Sequence, residues 1–271
     1  MGKITALAGN QRTLYQIDAF ADKVFSGNPA AVVPLENWLP EDTMQHIAME
    51  NNLSETAFIV KEGERFAIRW FTPTAEVDLC GHATLATAFV IFRYLEPDTQ
   101  EIEFDSRSGP LSVTRKGSKM RMDFPKDLPQ SLSKQKGEID GVIGGNTVAV
   151  MKGKDDILAI LATQLEVEKI RPDFGLMSKL DCRGLIVSAV GENYDFVSRC
   201  FYPNYGVNED PVTGSAHCLL APYWSEVLHK KTLNARQLSR RGGSLTCKVG
   251  ENRVYLSGTC VPYMIGKITL P

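Results

Sequence analysis

The chain has 271 residues, a length that accommodates two compact domains. Its formal net charge is −2, which argues against the basic surface that nucleic-acid binders need, and we expect no nucleic-acid partner. No apolar run approaches the length of a membrane span, and residues 1–11 have no apolar signal core. The sequence therefore predicts a cytoplasmic protein without a membrane partner.

The first half predicts short strands around one helix that is apolar nearly all round. Pro40, followed by Glu41 and Asp42, is a start signal for a helix that ends near residues 51–52. The run 81–95 is apolar on almost every side, and a helix of that kind is enclosed by other structure. Alternating apolar runs predict strands at residues 13–20, 30–35, 56–60, 66–71, 102–104, 111–114 and 119–124.

The second half repeats this order after residues 125–138, whose proline, glutamine and lysine content indicates a linker. A short helix is predicted at 166–170 and a second apolar helix at 214–228. The predicted strands of this half are residues 147–151, 157–162, 184–190, 196–201, 235–240, 245–249, 253–256 and 261–268.

A short motif recurs at the same place in both halves. The pattern R-x-F-x-P begins at Arg69 and again at Arg199, and each copy precedes an apolar helix that starts at a glycine. The repeat indicates an internal duplication. We therefore expect an α+β fold of two similar halves, 12–124 and 140–271, each a mostly antiparallel β-sheet or barrel wrapped around a central helix. Such interfaces often hold ligands, so the active site is expected in the cleft between the halves.

The starts of the two apolar helices are candidate binding sites for a carboxylate. Gly81 and Ala83 open the first helix, and Gly214, Ser215 and Ala216 open the second. Free backbone N–H groups and the helix dipole attract anions at such positions. Small residues also permit tight packing at a helix start, and the sequence leaves both interpretations open.

Three polar residues near these helices are candidates for acid/base chemistry. Glu55 stands before an apolar strand, either as a solvated charge or as a carboxylate suited to moving a proton. Asp210 precedes the second helix, where an aspartate often caps, and His82 lies in the first helix, where a histidine is more often structural.

Neither a cofactor nor a metal is expected. Six cysteines are scattered without a CxxC pair, and they have no metal-ligand spacing with the histidines. In a chain of this type they are expected to be free thiols. There is also no GxGxxG after a predicted strand and no P-loop.

Several strings resemble the phenazine-biosynthesis (PhzF-like) proteins, in the order that family has them. They are QIDAF at 16–20, FSGNPAAVV at 25–33, NLSETAF at 52–58, RWFTP at 69–73, CGHAT at 80–84 and EDPVTGSA at 209–216.

This resemblance implies a diaminopimelate-epimerase-like fold with the active site between two similar halves. It implies a cofactor-free isomerase that moves a proton on a small carboxylate-bearing molecule, and family members are often homodimers. The acid/base glutamate of the family falls on Glu55, and further site residues fall on His82, Asp210 and Ser215. Backbone N–H groups at both helix starts would then hold the carboxylate.

Two alternatives remain open at the level of sequence. The related amino-acid epimerases use two thiols, of which Cys80 occupies the first place while the second falls on Pro211. A two-thiol epimerase or racemase is therefore disfavoured, although Cys80 with another base is the first alternative. The second is a non-catalytic ligand-binding homologue that keeps the cleft and has lost turnover.

Overall fold

A computed structural model describes residues 10–270 of the chain. The predictions made for the N-terminal segment 1–11 fall, as far as residue 9, outside the described residues. No helix among residues 10–270 has the length and apolar character needed to cross a membrane.

The helices are few, and most lie where the sequence predicts them. They are α1 Glu41–Asn51, α2 Gly81–Val90, α3 Lys136–Ile143, α4 Gln164–Lys169, α5 Phe174–Met177 and α6 Ala216–Val227. A π-helical turn, Ile91–Leu95, continues α2, so the predicted helix 81–95 is confirmed along its whole length.

The strands carry most of the regular structure. They are β1 Gln11–Ala19, β2 Asn28–Leu35, β3 Glu55–Glu62, β4 Arg65–Phe71, β5 Glu76–Val77, β6 Glu101–Ser106, β7 Gly109–Lys116, β8 Lys119–Pro125, β9 Gln130–Ser131, β10 Ala149–Lys152, β11 Asp156–Ile160, β12 Gly184–Val190, β13 Phe196–Tyr202, β14 Val207–Asp210, β15 Thr232–Gln237, β16 Gly243–Val249, β17 Arg253–Gly258 and β18 Cys260–Thr269.

The two apolar helices are enclosed, as predicted. Eight of the ten residues of α2 are buried, and so are eight of the twelve residues of α6. Pro222 inside α6 cannot donate to the carbonyl of Cys218. That carbonyl instead accepts a hydrogen bond from the backbone N–H of Asp127 at 3.1 Å, so the helix continues past the proline.

The chain divides into two compact units. The first unit contains the described residues of Met1–Ala19, then Pro29–Thr114, and the described residues of Cys260–Pro271. Its strands follow the order β18–β1–β2–β3–β4–β6–β7, with β5 beside β4. The β2–β3 and β4–β6 pairs are parallel, and α2 lies in the connection between β4 and β6.

The second unit contains Phe20–Asn28 and Arg115–Thr259. Its strands follow the order β9–β10–β11–β12–β13–β15–β16–β17–β8, with β14 beside β13. The β11–β12 and β13–β15 pairs are parallel, and α6 lies in the connection between β13 and β15. Each unit therefore repeats one connection order around one buried helix, and the prediction of two similar α+β halves is confirmed.

Strand registers align the two units residue by residue. Phe58 pairs with Arg69 in the first unit, and Val187 pairs with Arg199 in the second. Counting back three positions, Glu55 at the start of β3 corresponds to Gly184 at the start of β12.

The same alignment extends to the starts of the two apolar helices. Trp70 pairs with Val77, and Cys200 pairs with Asp210. Counting forward from these pairs, the helix-start residues Cys80, Gly81 and His82 correspond to Thr213, Gly214 and Ser215.

The arginine of the R-x-F-x-P repeat makes the same contacts in both units. Arg69 donates to both carboxylate oxygens of Glu76, at 2.7 and 2.6 Å, and its guanidinium lies 5.2 Å from the centre of the Phe71 ring. Arg199 makes the same fork to Glu209, at 2.6 and 2.9 Å, and lies 5.1 Å from the Phe201 ring. Each arginine thus joins its strand to the segment that leads into the buried helix.

The units do not follow the expected continuous halves, 12–124 and 140–271. Cys260–Thr269 pairs antiparallel with β1 and belongs to the first unit, whereas Lys119–Pro125 pairs with β17 and belongs to the second. The difference arises from strand pairings between residues far apart in sequence, which local patterns do not report.

The predicted linker 125–138 also differs from the structure. It contains β9 and the first turn of α3, a helix that buries Ile139, Val142 and Ile143 in the core of the second unit. The polar residues that suggested a linker lie mainly ahead of the helix, and its apolar face begins only at Ile139.

Candidate active site

The first unit brings Glu55 and His82 together. Glu55 is the first residue of β3, and His82 is the second residue of α2. The Glu55 Oε2 atom lies 3.1 Å from the Nε2 atom of His82. The histidine is buried, whereas 18% of the Glu55 side chain is exposed. Glu55 is therefore the member of the pair that has access to a substrate.

Cys80 completes this cluster. Its Sγ atom lies 3.5 Å from the Nδ1 atom of His82, so each imidazole nitrogen faces one polar side chain of the cluster. Burial raises the pKa of the Cys80 thiol to about 11, and the nearby Glu55 charge raises it as well. Cys80 is therefore a thiol, not a thiolate, at neutral pH.

The charge of His82 follows from two opposing effects. Burial favours the neutral imidazole, but the sulfur of Cys80 and the carboxylate of Glu55 favour the charged form more strongly. The pKa of His82 is consequently raised well above its usual value.

These three side chains also include the types of donor that bind metals. Glu55, Cys80 and His82 each offer a ligand atom within 4.8 Å of the others. His82 presents its Nδ1 atom to Cys80 and its Nε2 atom to Glu55. The three ligand atoms are nevertheless close enough to one another to share one ion.

Backbone groups at the start of α2 flank this cluster. The hydroxyl of Thr84 donates to the carbonyl of Cys80 at 2.6 Å, which ties the first turn together. Gly81 and Ala83 lie in the same turn, where the first N–H groups of a helix have no partner within the helix. The predicted carboxylate-binding residues of this half therefore lie in the same helical turn as His82.

In the second unit, Asp210 is held on both carboxylate oxygens. Oδ1 accepts a hydrogen bond from the amide of Asn28 at 2.9 Å, and Oδ2 accepts one from the hydroxyl of Thr213. The buried Gln237 accepts from the backbone N–H of Thr213 at 2.9 Å and donates to the carbonyl of Asp210 at 2.7 Å. Asp210 is thus part of the framework that shapes the loop before α6.

Ser215 lies at the start of α6, and its hydroxyl does not cap its own helix. Instead its Oγ atom accepts a hydrogen bond from Arg183 NH2 at 3.1 Å. Arg183 in turn forms a two-pronged ion pair with the buried carboxylate of Asp156. Gly214 and Ala216 flank Ser215 at the same helix start.

The sequence did not predict the four residues that hold Asp210 and Ser215 in place, directly or through another residue. They are Asn28, Asp156, Arg183 and Gln237. Asn28 lies within a string, 25–33, that carried the family resemblance, so a signal for it was present. Arg183 directly precedes Gly184, the counterpart of Glu55, so aligning the two halves would have drawn attention to it. Nothing local marks Asp156 or Gln237.

Comparison with known proteins identifies relatives along almost the whole chain. The family model for phenazine biosynthesis-like proteins, PhzC-PhzF, matches residues 17–266. An uncharacterized isomerase of Pseudomonas aeruginosa is 48% identical over 258 residues, which cover 95% of this chain and 99% of the relative.

Solved structures agree with the family match. A PhzF-family phenazine biosynthesis protein of Enterococcus faecalis superposes with a TM-score of 0.93 at 50% identity, covering 96% of this chain and 100% of its own. A hydroxyproline epimerase of Agrobacterium vitis superposes with a TM-score of 0.61 at 9% identity, covering 96% and 93%. The second likeness shows a shared epimerase-type fold and no more.

Proposed function

The chain belongs to the phenazine biosynthesis-like (PhzC-PhzF) family and is an isomerase, and from that premise we propose that Glu55 moves a proton on a small carboxylate-bearing substrate without a cofactor. The observation that carries the proposal is the pairing of a partly exposed Glu55 with a buried His82 at 3.1 Å. A carboxylate that is positioned by a buried imidazole and is still partly exposed can exchange a proton with a bound substrate.

The proposed reaction has two proton transfers. Glu55 first takes a proton from a carbon of the substrate, and the electron pair of that C–H bond moves into the adjoining unsaturated system. Glu55 then returns the proton to a second carbon, the double bond shifts, and the glutamate is ionised again. A well-placed acid/base group of this kind contributes roughly 10²–10⁴-fold in rate.

The second unit supports a mechanism with one base. Its counterpart of Glu55 is Gly184, and its counterpart of Cys80 is Thr213. Neither a glycine nor a threonine exchanges protons near neutral pH. An epimerase that inverts a carbon with one base from each half lacks the second base at both of these positions.

We assign the substrate carboxylate to the two helix starts. Backbone N–H groups of Gly81 and Ala83, and those from Gly214 to Ala216, lie at the positive ends of the buried helices. Each helix end favours an anion by about 0.3–1 kcal/mol, and by up to about 2 kcal/mol in a favourable, partly buried geometry. In this proposal Asp210 positions the loop before α6 and tunes the proton balance of the reaction.

The alternative hypothesis, an epimerase or racemase, requires Cys80 to act as a base. Its raised pKa, about 11, opposes that role at neutral pH. Moreover, the two proposed thiol places are not equivalent, because Cys80 corresponds to Thr213 while Pro211 corresponds to Asp78. Cys80 is therefore better explained as a buried neighbour of His82.

Deuterium exchange in D2O, followed by NMR over a panel of small cyclic and amino-acid carboxylates, separates the three possibilities. The proposal expects a shifted double bond, with hydrogen lost from one carbon and gained at another, and the deuterium content of that second carbon reports how far the protonated Glu55 exchanges with solvent before it returns the proton. Inversion at a single carbon would favour the epimerase, and tight binding without exchange would favour a non-catalytic homologue. The predicted homodimer is tested independently by sedimentation, and the predicted cytoplasmic location by fractionation of the source cells.

A further inference from the structure

Arg183 occupies a built position in the second unit, directly before β12. Its Nε atom donates to Asp156 Oδ1 at 2.9 Å, and its NH2 group donates to Oδ2 of the same carboxylate. Asp156 is 4% exposed, and a buried carboxylate of this kind holds a guanidinium in one orientation. The guanidinium also lies 5.4 Å from the centre of the Tyr202 ring.

The backbone beside Arg183 is shaped to admit that ring. A Cβ atom on Gly184 would lie 2.2 Å from two carbons of the Tyr202 ring and 2.8 Å from the carbonyl oxygen of Phe201. The Tyr202 side chain is buried, and its hydroxyl makes no hydrogen bond within residues 10–270. Arg183 is therefore clamped between a carboxylate and an aromatic face.

The hydrogen bonds that Arg183 makes leave donors available. Its NH2 group also donates to Ser215 Oγ at 3.1 Å, so the serine oxygen accepts and its hydroxyl hydrogen is free to point elsewhere. The NH1 group donates to no acceptor among residues 10–270, and 32% of the side chain is exposed. The Ser215 hydroxyl, the NH1 group and the start of α6 thus form a cluster of donors.

We propose that Arg183, held by Asp156, is the anchor for the substrate carboxylate in the second unit and orients Ser215 as a donor to it. This inference rests on the proposed function, and it names the anionic group that the isomerase selects. A site made only of donors binds an acceptor-only group, and a planar guanidinium matches a carboxylate. Arg183 is then a binding residue, and Asp156 is a positioning residue.

The assignment predicts discrimination between charged and neutral ligands. A carboxylate fills the acceptor role toward every donor of the cluster, whereas a primary amide presents its own N–H groups to some of them. Arg183→Lys keeps the charge but loses the planar fork. We therefore expect at least a tenfold rise in KM for a carboxylate substrate, with kcat within about threefold of the wild type.

The experiment compares Arg183→Lys, Ser215→Ala and Arg199→Gln with the wild type. KM and kcat are measured on a carboxylate that turns over in the deuterium-exchange panel, and calorimetry titrates cyclohexanecarboxylate and cyclohexanecarboxamide as the charged and neutral probes. Ser215→Ala should raise KM in the same direction, and Arg183→Lys/Ser215→Ala should cost less than the two single effects combined. Arg199, in the same unit and also paired with a carboxylate, is the matched control. Arg199→Gln removes the ion pair with Glu209 and should lower the melting temperature without changing KM.

Two results would overturn the assignment. An unchanged carboxylate affinity in both Arg183→Lys and Ser215→Ala would remove Arg183 from the site. Equal weakening of carboxylate and amide would make its role structural. Calorimetry keeps this test separate from the proposed chemistry, because the affinity difference is measurable even if Glu55 transfers no proton. Should Arg183→Lys fail to fold, Ser215→Ala alone still decides whether the cluster binds the anion.

Discussion

The two units share one framework but carry different chemistry at the same positions. At the start of the strand that precedes R-x-F-x-P, the first unit has Glu55 and the second has Gly184. At the position after the glycine that begins each buried-helix segment, the first unit has His82 and the second has Ser215. The first unit thus has titratable side chains at these positions, whereas the second has a glycine and a serine, which do not titrate near neutral pH.

The comparison shows how a duplicated fold can divide its tasks. The arginine–glutamate forks are kept in both units because they join strand to helix, which both need. The residues that differ lie at the starts of corresponding strands and helices. Thr84 and His217, which correspond, both bond the carbonyl four residues earlier and so keep the helix start intact in different ways.

The largest expected effect on stability concerns Gly184. Gly184→Ala places a Cβ atom 2.2 Å from the Tyr202 ring, and overpacking of this kind costs typically 1–3 kcal/mol. We expect the free energy of unfolding to fall by about that amount in urea titrations. Gly141→Ala in α3 is the control, because no atom lies within 4 Å of its Cβ position. That helical site should gain about 0.5–1 kcal/mol.

This substitution tests the divergence of the two units directly. If Gly184→Ala unfolds at the same urea concentration as the wild type, the ring of Tyr202 does not need the glycine. Close packing against Tyr202 would then not be the reason for a glycine at this position.

The two buried histidines should give opposite pH dependences. Burial lowers the pKa of His217 to about 4, despite its hydrogen bond to the Thr213 carbonyl at 2.8 Å. Between about pH 6.5 and pH 4 the His217 imidazole binds a proton in the unfolded chain but not in the folded one. The free energy of unfolding should therefore decrease as the pH falls through this window, by at most about 1.4 kcal/mol per pH unit.

For His82 the sign is reversed. Because its folded pKa is raised, its contribution to stability is fully present below about pH 6.5 and is lost as the pH rises through the folded value. Urea titrations at pH 5 and pH 8 should show His82→Gln losing more stability at the lower pH, and His217→Gln losing more at the higher pH. Parallel curves for the two variants would contradict the assigned charges.

The smallest effect is expected for Cys80→Ser. The thiol is protonated at neutral pH and contacts the Nδ1 atom of His82, whereas Glu55 faces the Nε2 atom. Turnover should stay within a few-fold of the wild type in a steady-state assay. A loss of the size typical for a catalytic base, roughly 10²-fold or more, would favour the thiol epimerase over the isomerase proposed here.

Much of the framework was predictable from sequence because its signals are local. The two apolar helices are recognisable from their composition, and the R-x-F-x-P repeat predicts the duplication. The glutamates that explain the repeat, Glu76 and Glu209, emerge only from aligning one half with the other.

The remaining features depend on contacts between distant residues. The strand Cys260–Thr269 returns to pair with β1, and no local pattern indicates that partner. Asp156 and Arg183 lie 27 residues apart in sequence, yet they form the ion pair that holds Ser215. The prediction of Glu55 and His82 came from family resemblance, and the structure adds the distance that makes them a pair.

The most direct test of the central claim is the turnover of Glu55→Gln beside its affinity for the same carboxylate substrate. Glutamine keeps the size and hydrogen-bonding reach of glutamate but cannot accept a proton from carbon. The account predicts a loss of about 10²–10⁴-fold in turnover, with substrate affinity close to that of the wild type. Normal turnover by Glu55→Gln would show that another group carries the proton.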